Sequence, residues 1–196
     1  MSTKTIILAS GSASRRQILA GAGVEAECIK PLVDEETAKA ALRRQGLSVR
    51  DQAMHLAEMK AVKVSNAHQG LVIGGDQMLG LGEASFDKPK DMSQAREHLK
   101  ALSGQSHRLE TAIVIAENGS PVWRHLARPT LTMRPLSDAF IDDYLDKAGD
   151  GILATVGGYQ LEGLGSQLFN KIEGDYFSIL GLPLLPLLDY LRTRGV

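Results

Sequence analysis

A single cysteine, Cys28, among 196 residues excludes an internal disulfide framework and fits a reducing compartment. The expectation for its thiol is a small buried hydrophobe on a strand. Net charge is almost absent. The 22 Lys and Arg against 23 Asp and Glu leave −1, which gives no basis for nonspecific attraction to nucleic acid or to a membrane surface. Long hydrophobic runs are missing too. The N-terminal MSTKTIILASGSASRR offers only IILA, too short for a signal peptide or a span. Together these shortages lead to the expectation of a soluble, cytoplasmic protein with no nucleic-acid or membrane partner. The five histidines show no metal-ligand spacing such as HExxH, and no local serine-triad signature occurs. Internal repeats, low-complexity tracts and linkers are likewise absent. What is present, 43% apolar and 23% charged residues, is the composition of an ordinary globular protein. The length allows one large core or two closely joined lobes.

The stretch around which the chain is organised is 71–90, LVIGGDQMLGLGEASFDKPK. The apolar run Leu71-Val72-Ile73, bounded by Gly74-Gly75, reads as a buried strand ending at Asp76. The end of a strand is where open α/β sheets place their ligand crevices. Farther on, Lys88-Pro89-Lys90 sets two cations beside a stiff X-Pro step, and MLGLGEASF between them reads as a hairpin returning the lysines toward Asp76. A carboxylate for a divalent metal and a lysine for phosphate are the parts phosphoryl chemistry needs. An ordinary charged turn after a buried strand is the competing reading.

The rest of the chain alternates between strands and helices. Ile6–Ala9 is a short apolar run followed by the small-residue loop 10–14, and Arg15-Arg16 open a helix that the glycines at 21 and 23 end. Strand, Gly/Ser loop and helix N-terminus make an anion cradle, although the loop is neither a Walker A nor a GxGxxG sequence. Residues 24–33 read as a second strand, followed by the acidic triplet 34–36, a solvated helix start or the source of a second metal ligand. Residues 49–67 form an amphipathic helix with Ala53, Leu56, Ala57, Ala61 and Val64 on one face. Lys60 projects from that same apolar face, so it either snorkels to water or meets an anion. A helix over 93–102 starts at Ser93. The strand 107–116 and the β-rich run 121–133 pair across Asn118-Gly119. Ser137 caps a helix through Tyr144 or Leu145 whose Asp142, Asp143 and Asp146 form a solvated face. Residues 157–176 read as a glycine-punctuated loop, and Pro183–Leu191 as an apolar core helix.

Three stretches in order, LASGSASRRQIL, IGGDQMLGLGEASFDKPKD with its LSGQSH, and GGYQLEGLGSQLFNKIEGDYFSILGLPL, resemble the Maf family of nucleoside triphosphate pyrophosphatases over nearly the whole chain. The resemblance implies an α/β, inosine triphosphatase-like fold, with a long twisted mixed sheet and two lobes flanking a central cleft, in one Maf-like domain over residues 1–196. It implies hydrolysis between the α- and β-phosphates with a divalent cation, Mg²⁺ or Mn²⁺, and a homodimer. Some members are named for inhibiting septum formation, so a nucleotide-binding regulator of cell division with little turnover is the alternative function. Carried across, Ser10, Arg15, Arg16, Lys60 and Lys88 would bind phosphates. Asp76 would accept the proton and, with Glu35 or its neighbour Asp34, hold the metal.

Base choice in the resembling family varies at the residue after that aspartate and at the sixth residue of the GGYQLEG-like segment. Gln77 and Glu162 occupy those positions here, as in the branch acting on 7-methylguanosine triphosphate. That branch carries a stacking tryptophan where this chain has Ser14. Thr155-Val156-Gly157 aligns better than Lys147-Ala148-Gly149 with the family's Lys-Ala-Gly, because it keeps GGYQLEGLG in register. The role of Lys147 stays open.

Overall fold

The structure, a computed structural model, describes residues 5–196. In chain order the first elements are β1 (Ile6–Ala9), α1 (Ala13–Gly21), β2 (Glu27–Cys28), α2 (Glu35–Arg44), α3 (Val49–Ser65), β3 (Leu71–Leu81), β4 (Ala84–Phe86) and α4 (Met92–Leu102). There follow β5 (Ser106–Glu117), β6 (Ser120–Ala127), β7 (Thr130–Met133), α5 (Asp138–Ala148), β8 (Phe169–Glu173), α6 (Tyr176–Ile179) and α7 (Leu184–Thr193). Hydrogen bonds link the eight strands in the order β2-β1-β3-β5-β7-β8, with β4 on β3 and β6 on β5. The β1–β2 and β1–β3 pairs are parallel and the β3–β4, β5–β6, β5–β7 and β7–β8 pairs antiparallel, so the sheet is mixed. The α/β expectation holds.

The chain divides into two compact units. The first holds the residues up to Gln77, Thr111–Ala127 and Asp175–Val196; the second holds Met78–Glu110 and Arg128–Gly174. In the first unit, side-chain alternation along the strands separates two cores. Leu71 and Ile73 of β3 pack with Leu19 of α1 and Leu184, Leu187 and Leu191 of α7 on one face. Val72 packs with Ile7, Ala9 and Val64 of α3 on the other. Each fully buried leucine here contributes about 1.5–3 kcal/mol. Gly74 lies on the α3 face, and a Cβ there would meet the Ala57 carbonyl oxygen at 2.3 Å and the Ala61 nitrogen at 2.5 Å. Strand and helix backbones therefore touch.

The second unit centres on a buried aromatic group. His107 Nε2 lies 2.7 Å from the Tyr159 hydroxyl, and Phe169 stands edge-on to Tyr159 with ring centroids 4.9 Å apart. The Tyr144 hydroxyl donates to the Gly158 carbonyl at 3.3 Å. Burial pulls the His107 imidazole down to about 4.

Several elements differ from the sequence expectation. β3 does not stop at Asp76 but runs five residues past it to Leu81, because Gly74-Gly75 stay extended, the first against α3 and the second against Arg15. The hairpin after it is present, with Leu79 opposite Phe86. The second strand shrinks to Glu27–Cys28, and Cys28 is exposed rather than buried, since only β1 pairs with this edge strand. Pro129 interrupts the run 121–133: β6 pairs with the second half of β5, β7 with the first. Asp91, not Ser93, caps α4 through the Gln94 N–H. α5 continues to Ala148, its last turn held by a Lys147–Asp143 ion pair at 2.8 Å. The 157–176 segment is not all loop, for it ends in β8, which pairs with β7.

Two outcomes follow from this packing. Gly74→Ala should lower stability by about 1–3 kcal/mol or more, read from the urea midpoint, because backbone atoms rather than a flexible side chain must move. A buried neutral histidine makes the unfolded chain bind more protons between pH 6.5 and about 4. Stability should therefore drop as pH drops through that window, by roughly 2–3 kcal/mol from this group at the lower end. His107→Gln should flatten that part of the urea-midpoint profile.

Candidate active site

β1 and β3 run parallel, with Ala9 opposite Gly74, so the loop after β1 lies beside Gly75 and Asp76. The loop turns through local hydroxyl bonds. The Ser12 N–H donates to Ser10 Oγ at 3.1 Å, and Ser12 Oγ caps α1 by accepting from the Arg15 N–H at 3.4 Å. α1 thus begins at Ala13, two residues before the paired arginines, and the two arginines separate. Arg16 is exposed, whereas Arg15 turns inward and is buried. Its Nε donates to the Gly181 carbonyl at 2.7 Å, and its Nη1 to the Gly75 carbonyl at 2.9 Å and to Ser10 Oγ at 3.2 Å. Gly75 admits this approach, since a Cβ there would stand 3.1 Å from Arg15 Nε. Burial lowers the guanidinium's pKa from its ordinary value, while the charges of Asp76 and Glu35 work against that shift.

The other face of β3 carries the carboxylate. Asp76 lies two residues beyond Gly74 and so points to the same side, toward α3. Lys60 Nζ donates to Asp76 Oδ1 at 2.7 Å and stands 3.0 Å from Glu35 Oε2. The lysine and aspartate side chains are only 8% and 7% exposed, the Glu35 side chain 43%. Lys60 therefore meets an anion instead of snorkelling. Asp76 Oδ2 is buried and has no hydrogen-bond partner among the described residues. The neighbouring Asp34 does something else: it caps α2, accepting from the Thr37 N–H at 3.0 Å and the Thr37 hydroxyl at 2.7 Å. Those bonds hold its carboxyl below the usual range. Of the acidic triplet, Glu35 is the member that reaches Lys60.

Gln77 faces the Arg15 side of the strand. Its amide nitrogen donates to Thr111 Oγ1 at 2.8 Å and to the Ser178 and Ile179 carbonyls, each at 3.0 Å. Ser14, in the first turn of α1, is half-buried. Lys88 and Glu162 belong to the second unit, where both are exposed. The structure thus gathers Ser10 with Arg15, and Lys60 with Glu35 and Asp76. Sequence reasoning missed the carbonyls of Gly75 and Gly181 and the buried hydroxyls of Thr111 and Ser178. The one signal for the hydroxyls was a polar residue inside each apolar run, ETAIVIA and FSILGLPLL.

No group of three or more His, Cys, Asp or Glu side chains is arranged to hold a metal among the described residues. Two carboxylates on one ammonium, one of them with an orphaned buried oxygen, instead fit Mg²⁺ or Mn²⁺ shared with a ligand's phosphates. Mg²⁺ commonly takes one or two carboxylates and completes its shell with water and phosphate oxygens.

Residues 5–194 match the family of Maf-like proteins. A protein of Hyphomonas neptunium named nucleoside triphosphate pyrophosphatase is 64% identical over 191 residues, covering 97% of this chain and 96% of that protein. One of the same name from Rhodospirillum rubrum is 55% identical over 97% of this chain and 95% of its own length. A Rhizobium meliloti protein named 7-methyl-GTP pyrophosphatase is 50% identical over 97% and 96% of the two chains. With its motifs in order and relatives of this identity along nearly its full length, the chain belongs to the Maf family.

Proposed function

We propose that this protein hydrolyses nucleoside triphosphates to the monophosphate and pyrophosphate, clearing modified or non-standard nucleotides of guanine type, 7-methylguanosine triphosphate among them. The observation that carries the reading is the Lys60–Asp76 pair, with Asp76 Oδ2 buried and unsatisfied. A buried polar atom without a partner costs about 1–3 kcal/mol, a cost that a ligand removes on binding. The names of the relatives from Hyphomonas neptunium and Rhizobium meliloti support the reaction, and that of the Rhizobium meliloti protein supports the base class.

In the proposed reaction a water oxygen bonds to the α-phosphorus, the bond from that phosphorus to the bridging oxygen breaks, and pyrophosphate leaves. Asp76 takes the water's proton. Lys60 fixes Asp76 Oδ1, so the carboxylate is held in one orientation. Asp76 and Glu35 would also hold a Mg²⁺ or Mn²⁺, which when bound neutralises charge developing on the phosphate oxygens. Ser10, Arg15, Arg16, Lys60 and Lys88 would bind the phosphates. Ser14, Gln77 and Glu162 would read the base, Gln77 through its carbonyl oxygen because its nitrogen is committed elsewhere. A homodimer in the cytoplasm completes the reading. Its support is the family resemblance together with the single cysteine, and no helix among the described residues is long and apolar enough to cross a membrane.

Pyrophosphate release with Mg²⁺ or Mn²⁺ over a nucleotide panel tests the activity. Asp76→Asn should lose turnover by about 10²–10⁴-fold while keeping nucleotide binding. Near-normal release by the folded variant would remove Asp76 from the chemistry. An ionised Glu162 accepts hydrogen bonds and does not donate them, which suits guanine's N1–H and amino group and repels uracil's carbonyls. Glu162→Gln should therefore shift the kcat/KM ratio from guanine-type toward uridine or thymidine triphosphate. Ser14→Trp should favour 7-methylguanosine triphosphate by a stacking contribution of about 0.5–2 kcal/mol. Unchanged ratios in both variants would place base reading elsewhere.

A further inference from the structure

Arg15 has one edge left for a ligand. Its Nε and Nη1 hydrogens are taken by Gly181, Gly75 and Ser10, which leaves Nη2 as its uncommitted nitrogen among the described residues. A guanidinium is planar, so the direction of Nη2 is set once the other donors are fixed. The shortest of those bonds, 2.7 Å, goes to the Gly181 carbonyl, 166 residues away in the chain. Whatever orients that carbonyl orients the arginine.

The Gly181 carbonyl is oriented by a chain of bonds that starts at Asp175. Asp175 Oδ2 accepts from the Ser178 N–H at 2.8 Å and from the Ser178 hydroxyl, and Oδ1 accepts from the Phe177 N–H at 3.3 Å. The wholly buried Ser178 then offers its carbonyl to Gln77 and to the Thr111 hydroxyl, each at 3.0 Å, and to the Gly181 N–H at 3.1 Å. Gly181 itself has φ 103°, a conformation that glycine adopts without strain, and this turns its carbonyl onto Arg15. Every bond in this route lies within the first unit.

We infer that Asp175 is a positioning residue: through Ser178 and the Gly181 carbonyl it sets the plane of Arg15 and so aims Nη2 at the substrate's phosphates. The inference rests on the proposed reading of Arg15 as a triphosphate ligand. Asp175 touches no reacting atom. Asparagine at 175 keeps only one accepting oxygen, so in either orientation its NH₂ faces a donor, Ser178 or Phe177, that the carboxylate accepted from. The turn then loses part of this set of hydrogen bonds while its apolar packing stays.

The test is steady-state kinetics and pyrophosphate inhibition of Asp175→Asn, alone and in an Arg15→Lys background, with unfolding midpoints measured alongside. KM for the triphosphate and Ki for inorganic pyrophosphate should rise together by about 10–100-fold, with kcat changed far less, because displacing a binding group by an ångström costs that order of affinity. In the Arg15→Lys background Asp175→Asn should add less than about threefold, since the group it orients is gone. Ser178→Ala should give a smaller KM rise of the same kind, and it decides the matter if Asp175→Asn does not fold. A folded Asp175→Asn whose KM and Ki are normal overturns the inference, and so does a rise that persists in full without Arg15. Wild-type protein releasing no pyrophosphate from any triphosphate overturns the hydrolase reading itself, a result separate from either.

Discussion

The chemistry of the first unit depends on how closely α3 lies against β3. With the Ala57 carbonyl oxygen 2.3 Å from where a Cβ at position 74 would sit, helix and strand are in backbone contact. Lys60 is one residue from Ala61 at that contact, and Asp76 lies two residues beyond Gly74 on the same face. Their charges meet at 2.7 Å because the backbones meet first. Stability does not explain such a pair. Removing two ions from water costs several kcal/mol each, and apolar side chains of equal volume hold a helix on a sheet as well or better. An ion pair kept where packing alone would serve points to work done by the charges.

Charge balance carries that argument to the ligand. Before any substrate arrives, Arg15 and Lys60 are matched by Glu35 and Asp76, with Lys60 in contact with both carboxylates. The site holds no surplus positive charge among these four groups. A triphosphate brings several negative charges into a buried setting, where an unmatched charge is prohibitive. On the proposed reading the difference is made up by exposed cations such as Arg16 and by a divalent ion. Asp76 Oδ2, buried and without a hydrogen-bond partner among the described residues, is the atom at which such an ion would gain most. The carboxylates that balance Lys60 then become ligands.

The motifs and the amphipathic faces made much of this legible in the sequence. Lys60 stood out because a lysine on an apolar helix face must snorkel or meet an anion, and Asp76 because a carboxylate ending a glycine-bounded apolar run marks a ligand crevice. The strand's true length did not, since Gly74 and Gly75 look like an end when read alone, yet stay extended with α3 over the first and Arg15 over the second. Cys28 was misplaced for the opposite reason. A lone thiol on a strand reads as a small buried hydrophobe, yet pairing on one edge only left this one in solvent. Least legible were bonds made by backbone carbonyls, such as Gly181 to Arg15. They depend on where a turn points, and no side chain announces them. Asp34 and Glu35 could be told apart only once Thr37 engaged the first.

Successive residues of β3 face opposite ways, and this gives Asp76 and Gln77 different neighbours and linked fates. Asp76 answers to α3. Gln77 answers to the turn that carries the Gly181 carbonyl, and its amide nitrogen spans Thr111, Ser178 and Ile179. A shorter side chain at 77, such as threonine, cannot reach all three acceptors. It would leave the Ile179 carbonyl without this donor, whereas the Ser178 carbonyl keeps the Thr111 hydroxyl and the Gly181 N–H. The same turn also holds Arg15 by its Nε. On the proposed reading, in which Gln77 reads the base and Arg15 the phosphates, base selection at position 77 would be coupled to phosphate orientation through one short piece of backbone. A substitution there would then act on the turn that anchors the buried arginine as well as on the base.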